Sequence, residues 1–202
     1  MLPVHKVHIL LSRLEHLDTL IISITRLSVS QCARMLNGIN LHNLEFFSAN
    51  TLPHQGLVAF LSSHLELRSL ILGRCEREGH CYLHAVPVLQ QCSEIEGPSN
   101  CIASLISYSP LARVTARFFE EVDTHNSLYA SFRSSTTNIT HLDVDFSVPR
   151  DNSILESIAN DAPHVTTLKL IERFAQNKVS HCDSLLFRGP DVGHPGGIPM
   201  GQ

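Results

Sequence analysis

A degenerate pattern of apolar residues, L-x-x-L-x-L, recurs along most of the chain. In each copy the last two apolar positions alternate with a position that points the other way, which is the period of a strand with one buried face. The pattern therefore predicts a series of short, half-buried strands. Seven copies can be placed: Leu17-x-x-Leu20-x-Ile22, Leu41-x-x-Leu44-x-Phe46, Leu67-x-x-Leu70-x-Leu72, Cys92-x-x-Ile95-x-Gly97, Leu111-x-x-Val114-x-Ala116, Ile139-x-x-Leu142-x-Val144 and Val165-x-x-Leu168-x-Leu170.

Segments with the apolar spacing of helices lie between these strands. A first helix is expected between Ser30 and Gly38, which suit its two ends. Strands and crossover helices that repeat about every 26 residues bury their apolar sides by stacking on their neighbours. The pattern predicts an α/β fold, a leucine-rich-repeat solenoid of about seven short parallel strands with helices on the convex side. Three later helices are indicated by Leu57, Phe60 and Leu61, by Ile102, Leu105 and Ile106, and by Ile154, Leu155 and Ile158.

Residues 1–176 are predicted to form this single domain. Residues 177–202 are predicted to be a flexible tail, since Gly189-Pro190 and the glycine-rich stretch after it lose every strand or helix period. The alternative fold is a doubly wound α/β sheet, which also alternates strands with helices. The short repeat disfavours it, and so does the stretch after the first strand, which has no glycine before Gly38 to form a phosphate loop.

Composition and charge disfavour several classes of partner. The chain has 15 Lys plus Arg against 19 Asp plus Glu and a net charge of -4, which offers no basic stripe to a nucleic acid. Its apolar runs are far shorter than the roughly 18 residues that cross a bilayer. We expect neither nucleic acid nor membrane as a partner. The six cysteines have no paired spacing and the N-terminus has no signal-peptide pattern, so we expect reduced thiols and a cytoplasmic or nuclear location.

The rhythm of three stretches, Leu65–Gly73, Ile139–Phe146 and Ile154–Leu170, resembles the repeat region of fungal F-box-like proteins, and the likeness extends from about Leu17 to Phe174. In that family an F-box docks on a Skp-type adaptor of a ubiquitin ligase while the repeats hold the substrate. The resemblance implies a non-enzymatic protein-interaction scaffold, the substrate-recognition part of such a receptor. The short segment before Leu17 carries no F-box helices, so we expect an unknown protein ligand on the concave face rather than the Skp-type adaptor.

Cys75, His80, Cys81 and His84 have the residue types of a tetrahedral zinc site. Their spacing is not that of a known zinc finger, adjacent His80 and Cys81 rarely reach one ion, and Cys75 falls where the repeat consensus packs Asn or Cys inward. We therefore predict no metal and no cofactor. No Gly-x-Ser-x-Gly motif is present, and we predict no catalytic residue. The alternative is an α/β hydrolase or a metal-dependent enzyme on a doubly wound sheet.

The strand positions that point away from the core are the candidate binding surface, since in this architecture they form the concave face. The residues predicted to bind a partner are Glu94, Glu96, Arg113, Thr115, Arg117, His141, Asp143, Asp145 and Lys169. The other outward positions are Thr19, Ile21, Ser23, Asn43, Glu45, Phe47, Ser69, Ile71, Thr167 and Ile171. The charged members alternate in sign from strand to strand. Two interpretations stay open: a docking strip for a protein, or pairing of these charges between neighbouring strands about 4.8 Å apart.

Overall fold

The computed structural model describes residues 4–75, 81–107, 109–117, 125–146 and 153–172. The predicted tail lies outside these residues. The helices are α1 (Val4–Leu11), α2 (Val29–Leu36), α3 (Val58–Ser63), α4 (Ser99–Ile106), α5 (His125–Arg133) and α6 (Ser153–Asp161), with short 3₁₀ helices at His54–Leu57 and Tyr82–Ala85. The strands are β1 (Thr19–Ile21), β2 (Phe46–Ala49), β3 (Ser69–Leu72), β4 (Glu94–Pro98), β5 (Arg113–Arg117), β6 (His141–Phe146) and β7 (Thr167–Glu172).

All seven strands of the described residues form one parallel sheet, in the order in which they occur in the chain. Each of β2 to β6 pairs with the strand before it and the strand after it, and β1 and β7 form the two edges of the described sheet. This order has no reversal, whereas a doubly wound sheet reverses its strand order between two halves. The helices also pack in chain order, α1 on α2, α4 on α5 and α5 on α6, and so make one layer over one face of the sheet. The described part of the chain is an α/β fold with a single parallel sheet, as predicted.

One ladder of strand residues forms the centre of the core. Its first six members are buried, while Leu168, on the last described strand, is 44% exposed. The helix layer packs against this ladder, and the Phe60 ring of α3 lies 4.9 Å from the Phe47 ring, centroid to centroid. In register across the sheet, the ladder consists of Leu20, Phe47, Leu70, Ile95, Val114, Leu142 and Leu168.

The register of the second repeat differs from the prediction. Phe47, predicted on the open face, is completely buried and pairs with Leu20 and Leu70. The motif is therefore Leu44-x-x-Phe47-x-Ala49, three residues further toward the C-terminus than predicted. Two adjacent phenylalanines made the two registers look alike, and the structure selects the one that buries Phe47 against Phe60 and leaves Phe46 half-buried on the open face.

Helix α2 shows how the local sequence sets the start of an element. Ser28 is its N-cap: its Oγ accepts a hydrogen bond from the Gln31 backbone N–H at 3.2 Å, and the Gln31 side chain accepts one from the Ser28 N–H at 2.9 Å. This capping box satisfies two N–H groups at the helix start, ahead of the predicted Ser30. Gly38 follows the helix with a φ of +71°, the left-handed conformation that favours glycine.

His64, at the end of α3, is a buried side chain held by two backbone groups. Its Nδ1–H donates to the Phe60 carbonyl at 2.7 Å, and its Nε2 accepts from the Leu41 N–H at 3.0 Å. A protonated ring would lose the second bond, because both nitrogens would then be donors. Burial, opposed by the Phe60 hydrogen bond and aided by nearby His42, lowers the pKa of His64 below its ordinary value.

We expect this lowered pKa to make stability fall as the solution is acidified. The unfolded His64 binds a proton near its ordinary pKa of about 6.5, while the folded His64 stays neutral to lower pH. The contribution of neutral His64 to the free energy of unfolding is therefore fully present above about pH 6.5. This contribution is lost as the pH falls toward the folded pKa. Urea unfolding at a series of pH values should show a smaller acid loss for His64→Gln than for the unchanged chain. The exposed His16→Gln variant is the control and should keep the original pH dependence; equal curves for all three chains would contradict the expectation.

Candidate functional site

The predicted partner-binding residues lie together on the face of the sheet opposite the helices. Across β4 to β7, Glu94, Arg113 and His141 are in one row, and Glu96, Thr115, Asp143 and Lys169 are in the next. Arg117 and Asp145 form a third row. We call these nine residues the charged strip. The sheet therefore brings into one surface residues that are far apart in the sequence, from Glu94 to Lys169.

Two ion pairs join β4 and β5 within the charged strip. Arg113 Nε lies 3.7 Å from Glu94 Oε1, and Arg117 pairs with Glu96. The Arg113 and Glu94 side chains remain 52% and 48% exposed, so this pair contributes only about 0 to 1 kcal/mol. Pairing between strands, one of the two predicted interpretations, does occur. It does not remove the charges from solvent.

The open face changes character along the sheet. On β1 to β3 it carries small and apolar residues: Ile21 is 64% exposed, Ser48 is buried, and Ser69 and Ile71 are half-buried. Glu45 lies just before β2 and its Oε1 is 3.6 Å from Arg68 Nη2. The charged strip is thus confined to the four later strands.

A second constellation lies at one end of the early strands. His54, Cys75, Cys81 and Cys101 place their four potential ligand atoms within 4.8 Å of one another. Three of these side chains are buried, and Cys75 is half-buried. The Cys75 and Cys81 sulfurs are 3.9 Å apart, and His54 Nδ1 is 3.2 Å from Cys81 Sγ. We call these four residues the Cys3His cluster.

The residues of the Cys3His cluster come from three successive repeats. His54 begins the 3₁₀ helix after β2, Cys75 follows β3, Cys81 precedes the next 3₁₀ helix, and Cys101 lies in the first turn of α4. The cluster therefore joins the segments that follow three successive strands, β2, β3 and β4.

Hydrogen bonding within the Cys3His cluster shifts the pKa values of the Cys81 and Cys101 thiols in opposite directions. The hydrogen bond from Cys101 lowers the pKa of Cys81 well below the ordinary value, with a further contribution from His54, and burial opposes both. The same contact, together with burial, raises the pKa of Cys101. Burial also raises the pKa of two cysteines outside the cluster, Cys32 to about 11 and Cys92 to about 12, so among these thiols only that of Cys81 has a lowered pKa.

The sequence-based grouping of metal-ligand residues was only half right. Cys75 and Cys81 come together, but their companions are His54 and Cys101, not His80 and His84. The exposed His84 instead makes a 2.6 Å hydrogen bond between its Nδ1 and the Cys81 carbonyl. His80 lies outside the described residues.

The Cys81–His54 contact has the composition of a thiol–imidazole pair, yet its position does not suit nucleophilic catalysis. Cys81 is 3% exposed and His54 is 4% exposed, so a substrate carbonyl has no approach to the sulfur. The arrangement suits binding of a small ion better than attack on a substrate.

The helices within the described residues are all too short or too polar to span a bilayer.

Comparisons with known proteins assign the chain to no family. No protein-family model matches it, and no curated protein matches it. Among solved structures, the chain is similar to the tropomodulin C-terminal domain of Caenorhabditis elegans, with 11% identity, a TM-score of 0.44 and coverage of 80% of this chain and 92% of that one.

Proposed function

We propose that this chain is a leucine-rich-repeat solenoid that works as a protein-interaction scaffold, and that the charged strip is its binding surface. The observation that carries the proposal is the open face of the parallel sheet. Parallel sheets are almost always covered on both faces. Here the described helices cover one face, and four adjacent strands display charged side chains on the other.

The chemistry of the charged strip suits a polar protein ligand. Its four carboxylates and three cations leave one net negative charge, and their signs alternate across β4 to β7. A partner whose charges alternate in the complementary order would bind in one orientation, because each of its charges would face an opposite charge of the strip. Interfacial charges determine specificity and register more than affinity. The half-exposed Arg113–Glu94 pair can exchange its internal contact for one to a partner at small cost.

A narrower proposal concerns the biological setting. The resemblance of Leu65–Gly73, Ile139–Phe146 and Ile154–Leu170 to the repeats of fungal F-box-like proteins supports a role in holding a ubiquitin-ligase substrate. This setting predicts that captured proteins include ligase substrates.

The test separates binding from internal pairing. We expect Arg113→Ala with Arg117→Ala to abolish capture of partner proteins from a lysate of the source organism, because both guanidinium groups lie at the centre of the charged strip. The thermal unfolding midpoint should change little, because the half-exposed Arg113–Glu94 pair and the half-buried Arg117–Glu96 pair both remain in contact with solvent, and such pairs contribute only about 0 to 1 kcal/mol each. Capture followed by mass spectrometry and a thermal melt on the same variant measure both effects.

Arg34→Ala is a matched control, since this exposed arginine lies on α2, away from the open face. It should retain the partners of the unchanged chain. A double variant that melts at a clearly lower temperature while it keeps every partner would show that the arginines only hold adjacent strands together, and the binding proposal would fail.

A further inference from the structure

The Cys3His cluster has ligand types and distances that match a tetrahedral zinc ion. Zinc binds thiolate sulfur at about 2.3 Å and imidazole nitrogen at about 2.0 to 2.1 Å. Two sulfurs on a tetrahedron of that size are about 3.8 Å apart, and a sulfur and a nitrogen about 3.5 Å apart. The observed separations are 3.9 Å for Cys75 and Cys81 and 3.2 Å for Cys81 and His54 Nδ1. All four ligand atoms lie within 4.8 Å of one another, so side-chain movements of about 1 Å bring the other separations to these values.

His54 is held in the orientation and tautomer of a metal ligand. Its Nε2 is 3.2 Å from the Gly73 carbonyl, to which it can only donate a proton. In the neutral ring, Nδ1 is then the acceptor, with its lone pair directed into the cluster next to Cys81 Sγ. A hydrogen bond from the second ring nitrogen to a backbone carbonyl is the usual support of a zinc-binding histidine.

We propose that His54, Cys75, Cys81 and Cys101 bind one zinc ion, and that this ion fastens three successive repeats together. On binding, each thiol coordinates as a thiolate and gives its proton to the solvent. Four protein ligands leave no open position for water or substrate, so the site is structural and not catalytic. The site is independent of the charged strip, which lies on the open face of the later strands.

The buried position of the site suits this role. Cys101 and Cys81 are 0% and 3% exposed, so the ion would be shielded from water and competing ligands. The ligands lie in the segments after β2 and β3 and in the first turn of α4, so they come from three successive repeats. Coordination bonds to one ion would therefore connect the three repeats directly. Loss of the ion should lower the stability of all three.

Metal content of the full chain tests the proposal. We expect about one zinc per chain after purification under reducing conditions, incubation with zinc chloride and removal of free metal. Cys81→Ser and Cys101→Ser should each retain less than about a fifth of that zinc. Cys32→Ser and Cys92→Ser are matched controls, because both thiols are 0% exposed but lie outside the cluster, and they should retain all of it.

A measurement on the unchanged chain guards against variants that fail to fold. Cobalt(II) added to the metal-free chain should produce the intense visible absorption of tetrahedral thiolate coordination, saturate at about one ion per chain and disappear when zinc is added. A chelator should also lower the thermal unfolding midpoint, and zinc should restore it.

Three results would overturn the proposal. The first is a properly folded, reduced chain that binds neither zinc nor cobalt. The second is a disulfide between two cluster cysteines that persists under the reducing conditions of the preparation, seen by mass spectrometry as a mass two hydrogens lower than that of the free thiols. The third is visible absorption with bound iron and sulfide, which would assign the cluster to an iron–sulfur centre.

Discussion

Leu70→Ala should destabilise the protein by about 2 to 5 kcal/mol, the cost of removing buried methyl groups and leaving a cavity. Leu70 is 0% exposed and lies in the third strand of the ladder, between Phe47 and Ile95. Both neighbouring repeats therefore pack against it, and neither can close the cavity without moving a strand. Chemical denaturation measures the loss, and Leu142→Ala, at the equivalent buried place in β6, should behave in the same way.

Leu168→Ala is the matched control, because Leu168 belongs to the same ladder and has the same side chain but is 44% exposed. Its substitution should cost less than about 1 kcal/mol, since little apolar surface is removed from the core. Equal losses for Leu70→Ala and Leu168→Ala would mean that the ladder is not the core. A loss of less than about half a kcal/mol for Leu70→Ala would show that the register of the repeats is wrong.

Gly73→Ala should be at least as disruptive, with an expected loss of about 3 kcal/mol or more. A Cβ on Gly73 would overlap the carbonyl oxygen and carbon of Asn50. These are backbone atoms of the preceding repeat, so no side-chain rotation can relieve the clash. The connection after β3 would have to move away, and the Gly73 carbonyl would move from His54.

Gly38→Ala is the control for Gly73→Ala, because it tests the cost of a positive φ without any steric overlap. A Cβ there meets no atom within 4 Å, and only the positive φ of +71° opposes it. The expected cost is about 1 to 2 kcal/mol, the penalty for an L-residue in the left-handed region. Unfolding curves for the two variants should therefore differ clearly. A Gly73→Ala protein as stable as the unchanged chain would show that the two repeats do not approach so closely.

The spacing of apolar residues predicted the number, direction and approximate position of the strands. It succeeded because each strand needs only a few apolar residues to face the helix layer, as in Leu67-x-x-Leu70-x-Leu72. It failed in register where several apolar residues are adjacent, at Phe46 and Phe47. Only tertiary packing, the contact of Phe47 with Phe60, distinguishes the two choices there.

The Cys3His cluster was not predicted because its residues are neighbours in space but not in sequence. Local spacing pointed to His80 and His84, whereas the structure supplies His54 from the repeat before and Cys101 from the repeat after. One signal was present in the sequence, since Cys81 follows His54 by 27 residues (81-54) and Cys101 follows Cys75 by 26 (101-75), each close to one repeat length. In a stacked repeat, residues at such spacing occupy equivalent places in adjacent turns.

The strictly sequential strand order also bears on how this chain folds. Parallel sheets usually fold slowly, because distant segments must meet before they gain any contact. Here each ladder residue meets a partner only about one repeat away along the chain, as Ile95 meets Val114 and Val114 meets Leu142. Each loop closure is therefore short and costs little entropy, and structure can spread outward from any pair of adjacent repeats. Amide hydrogen exchange should accordingly be slowest in the central strands β3 to β5, which have a paired strand on both sides and another beyond it.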